Sequence, residues 1–332
     1  MHGSESRTVV LVQLAADSPD AAHFTRALAE APPCELRFAE GEAALVHAAD
    51  CEVFVASHLP EAFLARAPRL RWVSFLSAGV DGQLSEALRA ATLRITSAVG
   101  VHGPNIAEHL IAFMLTFTHG LQLQWRDQQA RLWRDWSGSR AQGSELWGQT
   151  LVIIGLGQIG GALAERAHAF GMRVVGIKRD PTTLPKGMPE HCVDAVFGPS
   201  QIDAVLGVAD HLALCAPLTA ETTHLFDAAR IARLKRGAYL YNIARGGLVD
   251  TAALIAALRS GALAGAGLDV FETEPLPTQS PLWDLPNVLI TPHSAGLTPR
   301  YYERAAALFS ENFKRYLSNQ PLLQAYDPRR GY

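Results

Sequence analysis

The chain has 332 residues and a mass of 35.8 kDa, and its 29 basic and 32 acidic side chains leave a net charge of −3. At roughly 100–200 residues per domain, this length points to two domains. With 48% hydrophobic and 18% charged residues, the chain can bury a large core and is not disordered. The near-balance of charge excludes a general nucleic-acid binder, which needs a basic stripe against the phosphates.

The longest apolar stretch, residues 106–121, is interrupted by Glu108, His109 and His119. No run of about 18 uncharged apolar residues exists, so no membrane span is expected. The polar start and the short apolar run after it are too weak for a secretory signal. Cys34, Cys51, Cys192 and Cys215 lie far apart and form no C-x-x-C. They are expected to be buried thiols of a cytoplasmic, reducing environment. No His-Glu-x-x-His and no clustered Cys/His spacing occurs, so no metal site is expected.

In chain order, residues 8–14, 35–38, 51–56, 71–76 and 93–96 are short and rich in β-branched or bulky apolar residues, the pattern of strands. Helix-like segments, 20–30 and 42–48, lie between them. Alternating β and α units predict a parallel sheet with helices on both faces. Residues 104–118 then form a helix apolar on nearly every side, expected in the core or at a subunit contact. His109 and His119 on it are expected to be structural. Residues 122–145, with Trp125, Trp133, Trp136 and the run 137–139, are too long for an ordinary loop and are expected to form an arm, either embracing a second subunit or packed on its own chain.

The alternation restarts at Thr150, with strands at 151–154, 173–177, 211–216, 238–243, 265–270 and 288–291. Asp250 is a candidate N-cap and Gly261 a stop for the helix between the fourth and fifth of these. A final helix spans 299–317.

The sharpest local motif is Gly155-Leu-Gly-Gln-Ile-Gly160, between an apolar strand and a helix that stops at Gly171. In that context G-x-G-x-x-G is a dinucleotide fingerprint. Gly155 permits the tight turn. Gly157 lets the backbone approach a pyrophosphate at the helix N-terminus, with Gln158 and Ile159 following, and Gly160 allows close helix–sheet packing. An NAD site usually carries an acidic residue at the end of the next strand. Here that strand runs into Lys178 and Arg179, cations suited to a 2′-phosphate, so NADP(H) is expected over NAD(H). Asp180, before Pro181, is expected only to start a turn.

Three more segments complete the pattern: Asn242-Ile-Ala-Arg-Gly-Gly247, Leu268-Asp-Val-Phe-Glu-Thr-Glu-Pro275 and Thr291-Pro-His-Ser294. With the glycine loop, they resemble the D-isomer-specific 2-hydroxyacid dehydrogenases. The resemblance extends to Ser77-Ala-Gly-Val-Asp81, similar to a substrate loop, and to Gly103-Pro-Asn-Ile-Ala-Glu-His109, similar to the start of a dimerisation helix. Pro217-Leu-Thr-Ala-Glu-Thr222 and Pro281-Leu-Trp283 also fit. The likeness covers the chain from about Val53 onward.

The resemblance implies Arg245, Glu274 and His293 as catalytic residues. Reducing a 2-oxo acid needs a hydride on carbon and a proton on oxygen, and His is the side chain best poised to donate that proton. A paired carboxylate, Glu274, favours and orients the protonated imidazole. Arg245 offers a planar fork for the substrate carboxylate. Backbone amides at Ser77, Ala78 and Gly79 are implied for the same carboxylate, and Pro217, Thr222, Ile243 and Asp269 for the cofactor. Taken singly, Arg245 would equally serve as a cap or ion-pair partner, Glu274 and Glu272 as loop carboxylates, and His293 as a structural histidine.

The resemblance also implies the fold: an α/β protein of two doubly wound parallel-sheet domains. Residues 1–100 and 297–332 would form a smaller flavodoxin-like substrate domain, and 101–296 a Rossmann-type nucleotide domain with the dimerisation helix and arm. The active site would lie in the cleft between them, in a homodimer. The expected activity is NADPH-preferring reduction of small 2-oxo acids, such as glyoxylate or hydroxypyruvate, to D-2-hydroxy acids. The alternative is a dinucleotide-sensing, corepressor-like binding protein on the same fold. A formate dehydrogenase-like enzyme fits less well, because that subgroup has Gln where this chain has Glu274. The walls that choose the substrate are not legible.

Overall fold

The structure is a computed structural model and describes residues 7–77, 79–80, 84–133 and 143–327. The chain divides into two compact units, 1–102 with 298–332, and 103–297.

The first unit is built on β1 (Val9–Val12), β2 (Glu35–Phe38), β3 (Val53–Ala56), β4 (Trp72–Phe75) and β5 (Arg94–Thr96), with helices α1 (Pro19–Ala29), α2 (Glu61–Leu64) and α3 (Glu86–Ala90). The strands pair in parallel in the order β2-β1-β3-β4-β5. The three inner strands, apolar except for Ser74, are buried at every position, as strands covered on both faces must be. Ser18 caps α1 through Ala21 N, with Pro19 and Asp20 in the first turn. The helix expected at 42–48 is a 3-10 helix instead, at Gly41–His47.

The second unit opens with α4 (Gly103–Thr118) and α5 (Leu121–Gln129). It continues with β6 (Thr150–Ile154), α6 (Gln158–Ala169), β7 (Arg173–Ile177), β8 (Ala195–Phe197), α7 (Ile202–Val205), β9 (His211–Leu214), α8 (Ala228–Ile231), β10 (Ala238–Asn242), α9 (Thr251–Arg259), β11 (Leu263–Leu268) and β12 (Val288–Ile290). The sheet is parallel throughout, in the order β12-β11-β10-β9-β6-β7-β8. The order reverses between β6 and β9, the switch point at which open α/β sheets bind ligands beyond their strand ends. α4 packs against α6 and is buried on most of its circumference, leaving Glu108 and Ala112 exposed. The expected arm begins as a helix, α5, with no buried residue; Trp136 and the run 137–139 lie outside the described residues.

The chain then returns to the first unit in α10 (Tyr301–Leu317), two residues later than its expected start. Phe309 and Phe313 on α10 pack with Phe24 and Trp72, and the Trp72 and Phe309 rings stack at 5.1 Å. No helix among the described residues is long and apolar enough to cross a membrane.

Candidate active site

The glycine loop joins β6 to α6 at the switch point. Gly155 has φ +98°, and a Cβ on it would lie 2.5 Å from Ala216 N in the segment after β9. Any side chain would push these two strand ends apart. A Cβ on Gly160 would sit 2.5 Å from Gly155 O, so α6 can lie this close to the turn only without one. Gly157 is the opposite case: its absent Cβ would meet nothing within 4 Å. It stands at the N-cap of α6 without a side-chain cap, ahead of the half-buried Gln158 and Ile159. The open space beside this uncapped helix N-terminus suits an anion, and the cradle fits a pyrophosphate.

At the end of β7, the Lys178 ammonium donates to Thr183 O and Oγ1, both at 2.7 Å, and Arg179 is exposed. Asp180 accepts from Thr182 N at 3.1 Å and Thr182 Oγ1 at 2.6 Å, the turn-starting role expected for it. Those hydrogen bonds hold its carboxyl below the usual range. After β9, Thr222 Oγ1 donates to Pro217 O at 2.8 Å and accepts from Thr219 N at 2.7 Å, which closes the 217–222 turn on itself. Ile243 is a core residue at the end of β10.

The Arg245 turn is shaped by Asn242, which is almost fully buried. Its Nδ2 donates to Arg245 O at 2.9 Å and its Oδ1 accepts from Ala244 N at 3.1 Å. Arg245 is half-buried and donates to Ala244 O at 2.8 Å. A Cβ on Gly246 would lie 1.9 Å from the carbonyl carbon of Phe271. Glycine therefore lets the Arg245 loop press on the backbone of the loop that carries Glu274. Beyond it, Asp250 caps α9 through Ala252 N and Ala253 N, and Gly261 follows the helix at φ +70°.

His293 Nδ1 donates to Glu274 Oε2 at 2.7 Å, and both side chains are part-exposed. The other oxygen of Glu274 accepts from Phe271 N at 2.9 Å. Partial burial pulls the Glu274 carboxyl upward, but the hydrogen bonds from His293 and Phe271 N and the charges of His293 and Arg245 outweigh it and hold it below its ordinary value. His293 has φ +51°, a conformation few side chains adopt. Its N–H donates to Asp269 O at 2.8 Å. Asp269 is 1% exposed; its carboxylate accepts from Thr291 Oγ1, from Ser294 N at 2.8 Å and from Ala295 N at 3.0 Å. The buried carboxylate thus organises the loop on which His293 stands.

A model of the D-isomer specific 2-hydroxyacid dehydrogenase NAD binding domain matches residues 111–295. The chain belongs to this family. A glyoxylate/hydroxypyruvate reductase B from Yersinia enterocolitica is 35% identical over 75% of the chain and 76% of its own length. A D-3-phosphoglycerate dehydrogenase from Mycobacterium leprae is 34% identical over 92% of the chain, which spans only 52% of that longer protein. An NADPH-dependent glyoxylate/hydroxypyruvate reductase from Sinorhizobium meliloti, solved with NADP and sulfate, superposes with a TM-score of 0.81 at 28% identity, covering 98% of this chain and 100% of the other.

Among the family's dehydrogenase motifs, the structure brings Arg245, Glu274 and His293 together on three successive loops of the second unit, after β10, β11 and β12. Ser77 and Gly79 belong to the first unit, where Ser77 O accepts from Ala98 N at 2.9 Å; Ala78 lies outside the described residues. No group of three or more His, Cys, Asp or Glu that could hold a metal occurs among the described residues. Sequence reasoning missed the supports. Asn242 opens the segment that carries Arg245, and its residue type signals no role there. Asn105, on α4, donates to Ala295 O at 2.6 Å and Leu297 O at 2.8 Å. His109, also on α4, reaches Thr291 Oγ1 with its Nε2 at 3.1 Å, and burial pushes its imidazole below the ordinary value against the upward pull of Asp269. No local spacing signals such contacts, which join residues 182–192 positions apart.

Proposed function

We propose that the protein is an NADPH-preferring reductase of small 2-oxo acids, glyoxylate or hydroxypyruvate or a close relative, giving D-2-hydroxy acids. The observation that carries this reading is the 2.7 Å His293–Glu274 pair, with Arg245 near enough to lower the carboxyl, in a unit that also holds the glycine cradle. When bound, the reduced nicotinamide supplies the hydride. Gly155, Gly157, Gln158, Ile159 and Gly160 receive its pyrophosphate at the start of α6. Pro217, Thr222, Ile243 and Asp269 are the further residues assigned to the cofactor side, the last three through the segments they hold in shape.

Arg245 pairs its planar guanidinium with the substrate carboxylate and polarises the adjacent carbonyl. Backbone amides at 77–79 are assigned to the same carboxylate by resemblance alone. His293 engages Glu274 through Nδ1, which leaves Nε2 to hold the proton delivered to the carbonyl oxygen. Glu274, kept ionised, favours the imidazolium before transfer and orients the ring throughout.

The NADPH preference rests on Lys178 and Arg179 following β7 without an acidic residue at that point, and on the NADPH dependence of the Sinorhizobium relative. A homodimer is supported by the exposed Leu121, Trp125, Leu132, Trp133 and Trp147 on the second unit; a monomeric mass in solution would remove it.

The test is oxidation of NADPH and NADH by the purified protein against a panel of 2-oxo acids, with dissociation constants for both dinucleotides. Faster turnover and tighter binding with NADPH are expected. Equal affinity for the two would overturn the phosphate assignment, and dinucleotide binding without turnover on any acid would replace the reductase with a sensing protein.

A further inference from the structure

α4 reaches the His293 loop with two side chains, and one is an ionisable group that no step of the reaction uses. His109 Nε2 lies 3.1 Å from Thr291 Oγ1, and Thr291 Oγ1 in turn contacts Asp269 Oδ1. The direction of these bonds follows from proton counting. A hydroxyl carries a single proton, and an ionised carboxylate can only accept. Thr291 therefore donates to Asp269, and His109 must present a protonated Nε2 to the lone pair of Thr291. Asp269 spends its remaining capacity on Ser294 N and Ala295 N, and its main-chain carbonyl accepts the N–H of His293. The line runs from a helix to the backbone that holds His293 at φ +51°.

The surroundings make that line consequential. Asp269 is 1% exposed, so a lost donor there is not replaced by bulk water. The His109 ring is also fixed by an edge contact with Phe113, centroids 4.5 Å apart, so the imidazole cannot readily turn its Nε2 elsewhere. Asn105, one turn earlier on α4, holds the far end of the same loop at Ala295 O and Leu297 O. Proton donors act over a few tenths of an ångström, and loops left to themselves do not hold a left-handed residue to that tolerance.

We propose that His109 is a positioning residue for the reaction: acting through the Thr291 hydroxyl, it fixes the Asp269 carboxylate and so the backbone that presents His293. The inference rests on the proposed role of His293. It assigns His109 no contact with substrate or cofactor.

The experiment compares His109→Leu, His109→Gln and His293→Ala by steady-state kinetics and thermal denaturation, with dinucleotide dissociation constants measured separately. Leu fills the volume but donates nothing; the Gln amide can place an N–H near the position of Nε2. With His109→Leu, kcat should fall about ten- to a hundredfold, the scale of a small displacement of the reacting groups. Dinucleotide affinity should change far less than kcat, because the glycine cradle is untouched, and His109→Gln should recover most of the loss. Thr291→Val cuts the same line from its other side, so its effect and that of His109→Leu should not add in the double variant. If His109→Leu does not fold, Thr291→Val alone, with a kcat loss of the same size that far exceeds any loss of dinucleotide affinity, carries the test. Turnover in His109→Leu within about threefold of the native protein, while His293→Ala is inactive, overturns the inference and leaves the function standing. Equal loss in the Leu and Gln variants, matched by equal loss of thermal stability, reduces His109 to packing and also overturns it. Full activity in His293→Ala refutes the proton-donor reading itself.

Discussion

One loop carries two histidine–carboxylate pairs. Glu272 Oε1 meets His224 Nε2 at 2.6 Å, and two residues later Glu274 Oε2 meets His293 Nδ1 at 2.7 Å. Both pairs are part-exposed, and both histidines sit at positive φ, +48° and +51°. By distance and exposure they are interchangeable. They differ in what each group does with its remaining valences. The second oxygen of Glu272 accepts from Thr251 N at 3.1 Å, at the first turn of α9, and His224 N donates to Gly247 O at 2.8 Å. That pair ties the 217–224 segment to the start of a helix. Glu274 turns its second oxygen to its own loop, feels the charge of Arg245, and faces a histidine backed by the buried Asp269. A short His–Glu contact is thus no measure of chemistry; the groups behind it are.

The comparison predicts opposite sensitivities. His293→Ala should lower kcat by about 10²–10⁴-fold, the range for losing a general acid. His224→Ala should stay within about threefold, as an exposed pair contributes little. Equal losses in steady-state rates would erase the distinction. Arg245→Lys keeps the charge and loses the fork, so KM for the 2-oxo acid should rise about tenfold, the weight of a charged hydrogen bond, while dinucleotide affinity holds. An unchanged KM would remove Arg245 from the carboxylate. Gly246→Ala forces a methyl onto the Phe271 backbone and should cost about 1–3 kcal/mol in denaturant unfolding, with activity reduced as the Arg245 and Glu274 loops part. The smallest expected effect is one the two pairs share. Glu272 and Glu274 are both held below the ordinary carboxylate range, so each contributes stability that is full above that range and is lost as pH falls through its depressed folded value. Replacing either by Gln should flatten the acid limb of the stability curve to a similar degree, measured by urea denaturation across that interval.

The fold was legible wherever a segment's own composition decides its state. The buried apolar strands, the Asp250 cap, the Gly261 stop and the glycine loop all announce themselves within a few residues. β8 did not, because Ala195–Phe197 is three residues of half-buried edge with no alternation to read. Residues 41–47 carry helical composition but tighten to a 3-10 turn. β11 was expected at 265–270 and ends at Leu268, where Asp269 turns its carboxylate into the His293 loop. At the candidate site, the resemblance to the dehydrogenase family marked Arg245, Glu274 and His293, whereas residue type alone left Glu274 and Glu272 as equal loop carboxylates. Asn242, Thr291 and His109 were invisible as supports, since their roles exist only once distant segments meet.

The path of the chain has a consequence for how the molecule is made. One face of the first unit's sheet is closed by Phe309 and Phe313 of α10, which arrive about 240 to 290 residues after Trp72 and Phe24. During synthesis, everything needed for the 103–297 unit emerges before the last helix of its neighbour. The five-stranded sheet must therefore wait with an aromatic face uncovered until α10 leaves the ribosome, an interval of about ten seconds or more at ordinary elongation rates. In that interval the half-finished unit offers a surface for misassociation that the completed protein never shows.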